Sequence, residues 1–233
     1  MIHILWATIR PEQFKSMHSE WIKRSNNPGD IKTYVAVNWK EHYDILEDYL
    51  NEDYLINLNT NKIGVCYPSY KLSSTIGTEM GKCEDNDIVI FASDDFIAPN
   101  NWDTYLKTKL EGKGDVCLMC LDGYQLPDSS NMLHPAITIP IMTFGCLKKL
   151  NKVIYHPAYN HMFSDVELYY NLKDLNMLYD DRLNDDTLFE HLHYAAGKRN
   201  PDQADQEYNN KWAEDQVTWD KRKVMSIEER LKV

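Results

Sequence analysis

The sequence predicts an α/β protein: a mostly parallel central sheet flanked by helices, with a C-terminal helical extension. Three observations predict it. Apolar strand-like runs alternate with amphipathic segments over the first half of the chain. The 233 residues, 43% of them hydrophobic, suffice for one sizeable domain. From Asp202 the chain becomes strongly charged, with Trp212 and Trp219 at i, i+7, which predicts a helix folding back on the domain.

The elements follow in order. Ile2 to Thr8 reads as a buried strand. Pro11 to Ser25 reads as a helix, with proline at its first turn and Phe14, Met17 and Trp21 on one face. The turn NNPGD ends it. Ile31 to Asn38 is a second strand, HYDILEDYL a helix and YLINLN a third short strand. Tyr67 to Lys82 reads as a helix, weakened by Gly77. Asp87 to Ser93 is the clearest strand; Asn101 to Leu110 returns as a helix and DVCLMCL as a strand. Beyond it, Gly123 to Asn131 is loop-like, and AITIPIMTFGCLKKL suits strand or helix equally. Ser164-Asp-Val-Glu167 has the form of a capping box, with Leu168, Leu172 and Leu175 marking the helix after it. TLFEHLH reads as a strand with His191 and His193 on one face.

Bulk properties narrow the function. A net charge of -11 disfavours a nucleic-acid backbone as partner. No run of 18 apolar residues exists, so no membrane span is expected, and the first residues read as a strand and not a leader. A cytoplasmic location follows as an expectation. Cys117 and Cys120 would face opposite sides of a strand, which suits reduced core cysteines and neither a zinc knuckle nor a redox pair.

In open parallel sheets ligands bind beyond the carboxyl ends of the strands. Asp94 and Asp95 stand at that edge, with Arg10 after strand one and Asn38 at the end of strand two. Adjacent aspartates repel, and a cation beside them relieves this. Hard oxygen ligands there suit Mg²⁺ or Mn²⁺ with a diphosphate completing the shell. A histidine from the His191/His193 pair can join a carboxylate on Mn²⁺. Asp165, in the first turn of a helix, is either a dipole-complementing acid or a general base held as an anion by the helix N–H groups. Lys198 and Arg199, in a Gly/Pro loop, are solvated charges or a cationic cover for a diphosphate.

Taken in order, these segments resemble the family 2-like glycosyltransferases with the GT-A fold, of the small phage and bacterial type. The likeness runs from Ile2 to about Asp205. IHILWATIRPEQF resembles the family's opening strand and nucleotide-contacting turn, which includes Thr8 and Arg10. IVIFASDDFIAPNNWD resembles its DxD metal region, here Ser-Asp-Asp. FSDVELYYNLKDLNMLYDD resembles its catalytic acidic motif, and FEHLHYAAGK its late histidine and loop. The resemblance implies a GT-A-like domain over residues 1–205, with a nucleotide half to about 121, an acceptor-side half from 122, and a helical tail over 206–233. It implies Asp95 and His191 or His193 on Mn²⁺ or Mg²⁺, Asp94 supporting metal and ribose, and Arg10 and Asn38 lining the nucleotide. It implies Asp165 as base in an inverting transfer from a UDP-sugar to a glycan or a hydroxylated DNA base. Two other readings compete. A nucleotidyltransferase would want a Gly-rich loop where ATIRPEQ has no glycine. A non-catalytic sugar- or metal-binding module would not account for Asp165, the histidines and the cationic loop together.

Overall fold

The computed structural model describes residues 1–50, 54–60, 64–120, 135–183 and 189–233. The loop expected over Gly123 to Asn131 lies outside them. Among the described residues, seven strands form a sheet of order β3-β2-β1-β4-β7-β6-β8. These are β1 (Ile2–Ala7), β2 (Ile31–Val37), β3 (Leu55–Asn57), β4 (Ile88–Ala92), β6 (Cys117–Met119), β7 (Ile141–Thr143) and β8 (Leu178–Asp180). Pairing is parallel except around β7, which runs antiparallel to both β4 and β6. Two short strands, β5 (Phe96–Ile97) and β9 (Glu190–His191), pair separately and antiparallel. The central trio β2-β1-β4 is in parallel register, with Ile4 opposite Thr33 on one side and Ile90 on the other.

The central strands are apolar on both faces because both faces are covered. Ile2, Ile4 and Trp6 meet Phe14 and Trp21 of α1 (Pro11–Lys23) and Trp102 and Leu106 of α4 (Trp102–Leu110). On the other side Leu5, Val89 and Phe91 join Leu72 of α3 (Cys66–Thr75), Leu147 of α5 (Phe144–Lys149) and Leu168 and Leu172 of α6 (Ser164–Asp174). The second helix, α2 (Lys40–Leu46), buries Leu46 in the first of these layers. Cys117 and Cys120 fall in opposite layers, as their odd spacing requires.

Three local expectations are corrected. Helix α3 stops at Thr75, well short of Lys82, because Gly77 takes a φ of +76° and its missing Cβ makes room for the Phe144 ring, 2.4 Å from where a Cβ would lie. The run 136–150 is neither one strand nor one helix; β7 hands directly to α5, capped by the Thr143 hydroxyl. The capping box at Ser164 does not form. Phe163, left-handed at φ +65°, is the N-cap; Ser164 lies inside the helix and its Oγ donates to the His161 carbonyl. Glu167 instead takes two hydrogen bonds from Arg222, 2.8 and 2.9 Å, and one from Tyr159.

The C-terminal segment forms three helices, α7 (Gln203–Asn210), α8 (Trp212–Arg222) and α9 (Ile227–Arg230). Trp219 is half-buried and stacks on Tyr170 of α6, while Trp212, 49% exposed, packs more loosely on Phe163. The buried residues of α8 are Asp215 and Arg222, also at i, i+7 and so on one face. Among the described residues no helix is long and apolar enough to cross a membrane.

Candidate active site

From β1 the chain proceeds outward to β2 and β3, then returns to place β4 on the other side of β1. The strand order reverses between β1 and β4, so a crevice opens beyond their carboxyl ends. The turn after β1 contributes Thr8 and Arg10; the turn after β4 contributes Ser93, Asp94 and Asp95. A cavity of about 980 Å³ lies there. Its walls include Arg10, Asp94, Asp95, Asp165, His191 and His193. Thr8, Asn38, Lys198 and Arg199 are not among the described lining residues.

The two aspartates have different surroundings. Asp94 faces inward: Trp6 Nε1 donates to one carboxylate oxygen and Thr8 Oγ1 to the other, each at 2.7 Å. It thereby ties the end of β1 to the end of β4. Burial pushes its carboxyl up to about 7, opposed by those hydrogen bonds and by Arg10. Asp95 Oδ1 accepts from Ser93 Oγ at 2.7 Å, while Oδ2 lies 3.3 Å from His191 Nε2 and 3.7 Å from an Arg199 nitrogen. Burial would raise the Asp95 carboxyl too, but the His191 contact, the Ser93 hydroxyl and Arg10 outweigh it and hold it well below the carboxylate range.

His191 is fixed by the β5–β9 pair, where it stands opposite Phe96 and stacks on that ring at 4.2 Å. The described strand ends at His191, so His193 reaches the cavity from the turn beyond, where its Nδ1 accepts from the Ala195 amide. Asn38 is buried at the end of β2, donating to the Gly64 carbonyl and accepting from Thr60. Arg10 grips both carboxylate oxygens of Asp202 at 2.6 and 3.0 Å and reaches Asp205 at 3.2 Å. Arg199 also pairs with Asp205, and Lys198 stands 3.5 Å from Glu190. Asp165 lines the opposite wall at the start of α6, its Oδ1 accepting from the Val166 amide.

Other wall residues escape a reading by motif. His161 is half-buried and stacked on Tyr208 at 4.0 Å with nearly parallel rings; the burial of its ring pushes it down to about 4. Asp215 of α8 accepts from the backbone amides of Asn160, His161 and Met162 at 2.8–2.9 Å. The tail thus shapes the loop that carries His161 and leads into Asp165. The i, i+7 tryptophans signal a helix there, but Asp215 sits among charged residues that disguise its part in the wall.

The mixed, mostly parallel α/β sheet is a fold that this chain shares with solved structures of S. aureus TarS. The particular structures it is similar to include S. aureus TarS 1–349, at TM-score 0.60 and 15% identity, covering 98% of this chain and 76% of that one. TarS 1–349 in complex with UDP matches at TM-score 0.60 and 14% identity with the same coverage. The UDP-GlcNAc complex matches at 0.59 and 13%, covering 99% and 78%. Against a longer TarS chain the match spans 36% of that chain's length. No protein-family model matches the sequence, and no curated protein matches it.

Proposed function

We propose that this chain transfers a sugar from a nucleotide-sugar donor, a UDP-sugar, to an acceptor hydroxyl of a glycan. One observation carries the reading: a single cavity at the β1/β4 crevice joins the Asp95–His191 pair on the sheet edge to Asp165 at a helix start. The TarS 1–349 structures with UDP and UDP-GlcNAc support UDP as the nucleotide.

Asp95 Oδ2 and His191 Nε2, 3.3 Å apart, fit two neighbouring positions on Mn²⁺ or Mg²⁺, whose octahedral edges are about 3 Å. Asp94 is not a ligand in this reading, since both its oxygens already accept from Trp6 and Thr8; it positions Asp95. A bound cation would supply charge neutralisation for the departing diphosphate. Arg10 and Arg199 add cationic groups beside it, exchanging their Asp202 and Asp205 partners for phosphate oxygens. The acceptor oxygen attacks the anomeric carbon, the bond to UDP breaks, and the hydroxyl proton passes to the Asp165 carboxylate, inverting the anomeric centre. His191 is the histidine of the pair that binds metal; His193 is dispensable.

Calorimetry with UDP and a UDP-sugar panel, with and without Mn²⁺, tests the donor. Asp95→Ala abolishes the metal-dependent part of binding while the fold survives. Asp165→Asn lowers single-turnover transfer by about two to four orders of magnitude and leaves donor affinity nearly intact. No binding of any UDP compound to the wild type, or normal transfer by Asp165→Asn, overturns the reading.

A further inference from the structure

The opposite, amino-terminal edge of the sheet carries a second cluster that the transfer chemistry does not use. His3 of β1, Cys83 of the turn after α3, and Asp87 at the start of β4 bring one ligand atom each within 4.8 Å of one another. His3 Nε2 lies 3.5 Å from Cys83 Sγ and 3.3 Å from Asp87 Oδ2. A tetrahedral zinc with nitrogen and oxygen at about 2.0–2.1 Å and sulfur at about 2.3 Å has edges of about 3.3 Å between N and O and about 3.6 Å between N and S. The observed separations are those edges. We propose that His3, Cys83 and Asp87 form a Zn²⁺ site with a water in the fourth position.

Surrounding contacts suit the assignment. His3 is fully buried, and its Nδ1 stands 3.3 Å from the Tyr34 hydroxyl, a partner that leaves Nε2 to the metal. Tyr34 is seated by Gly81, where a Cβ would come within 2.4 Å of the hydroxyl. Asp87 is oriented by the Glu84 amide at 2.9 Å on Oδ2 and by the Met1 amino group at 2.8 Å on Oδ1. Its side chain is 13% exposed and Cys83 is half-buried, which gives the cation an entry path and the water its place. A thiolate, an imidazole and one carboxylate select zinc over the hard cations expected at Asp95. The metal would tie the starts of β1 and β4, as Asp94 ties their ends.

The test uses the full chain stripped with a chelator and titrated with Co²⁺ as a spectroscopic substitute. Thiolate-to-cobalt charge-transfer and tetrahedral d–d bands should saturate at one equivalent, and Zn²⁺ should bleach them. Cys83→Ser should erase the charge-transfer band, and His3→Gln should weaken binding at least tenfold. Asp95→Ala should leave both unchanged, separating this site from the donor site. Native mass spectrometry of the wild type, which needs no variant, should find one zinc per chain. No charge-transfer band, a band that survives Cys83→Ser, or no retained zinc would make His3 a hydrogen-bonded core histidine and overturn the site.

Discussion

Strand β1 buries Ile2, Ile4 and Trp6 against one layer of helices and Leu5 against the other; helix α8 buries Asp215 and Arg222. Both regions wall the same cavity, yet they are held by different physics. The strands gain from removing apolar surface from water, an effect without direction that tolerates changes in detail. The tail buries Leu231 in the second apolar layer but is held at α8 by charge-assisted hydrogen bonds, Arg222 to Glu167 and three amides to Asp215, each of which needs its partner in place. A buried ion pair adds little over a well-packed apolar pair, but losing one member strands the other. Sheet positions should therefore lose stability gradually, and tail positions abruptly.

The largest expected effect is Arg222→Ala, at about 3–5 kcal/mol, because Glu167 is left charged and buried. Glu167→Gln combined with Arg222→Met should recover at least half of that, measured by urea unfolding as a double-mutant cycle. A single-variant loss under about 1 kcal/mol would erase the contrast between the regions. Next, Ile90→Ala in β4, a fully buried site, should cost about 2–5 kcal/mol by cavity formation. Ile90→Val should cost only about 0.5–1.5 kcal/mol, the graded response that the tail should lack.

A smaller effect is expected from acid. Burial pushes His18, packed on Phe14 against the sheet, down to about 4 from an ordinary value of 6.5. Between those pH values the unfolded chain binds a proton that the folded chain does not, so stability falls as pH falls through that window. The share of His18 is about 2 kcal/mol, allowing for partial exposure. His18→Gln should flatten the slope of unfolding free energy between pH 6.5 and 4; an unchanged slope would mean that His18 titrates normally in the fold. His161, on the tail side, shifts in the same direction. Smallest is Trp212→Ala: the ring is half exposed against Phe163, and thermal unfolding should register under about 1 kcal/mol.

The same division explains what could be read in advance. Apolar periodicity located β1, β2, β4, α1 and α4 within a few residues, because two-sided burial writes itself as unbroken apolar runs. It also delivered Asp94 and Asp95 to the cavity edge. It missed the end of α3, where a glycine yields to an aromatic ring from a distant helix, and the cap of α6, where Phe163 replaces the expected serine. Ser164 and Glu167 had the right spacing, but Arg222, 55 residues on, took the glutamate. His161 and Tyr208 stayed hidden because a stacked pair far apart in sequence leaves no period. The tail tryptophans gave a true helix signal and the right face, on which they stack against Phe163 and Tyr170 while Asp215 and Arg222 are the residues buried there.

The dependence of the Asn160–Met162 loop on Asp215 also sets an order in time. A ribosome adding about 5–20 residues per second delivers Asp215 roughly 6–24 s after Asp95. During that interval the sheet can collapse on its own apolar layers, while the carboxylate that fixes the His161 loop has not yet been made. The wall that carries His161 therefore takes shape after the sheet beneath it. A nascent chain arrested before residue 215 should present the Asp95 edge with its opposite wall unsecured.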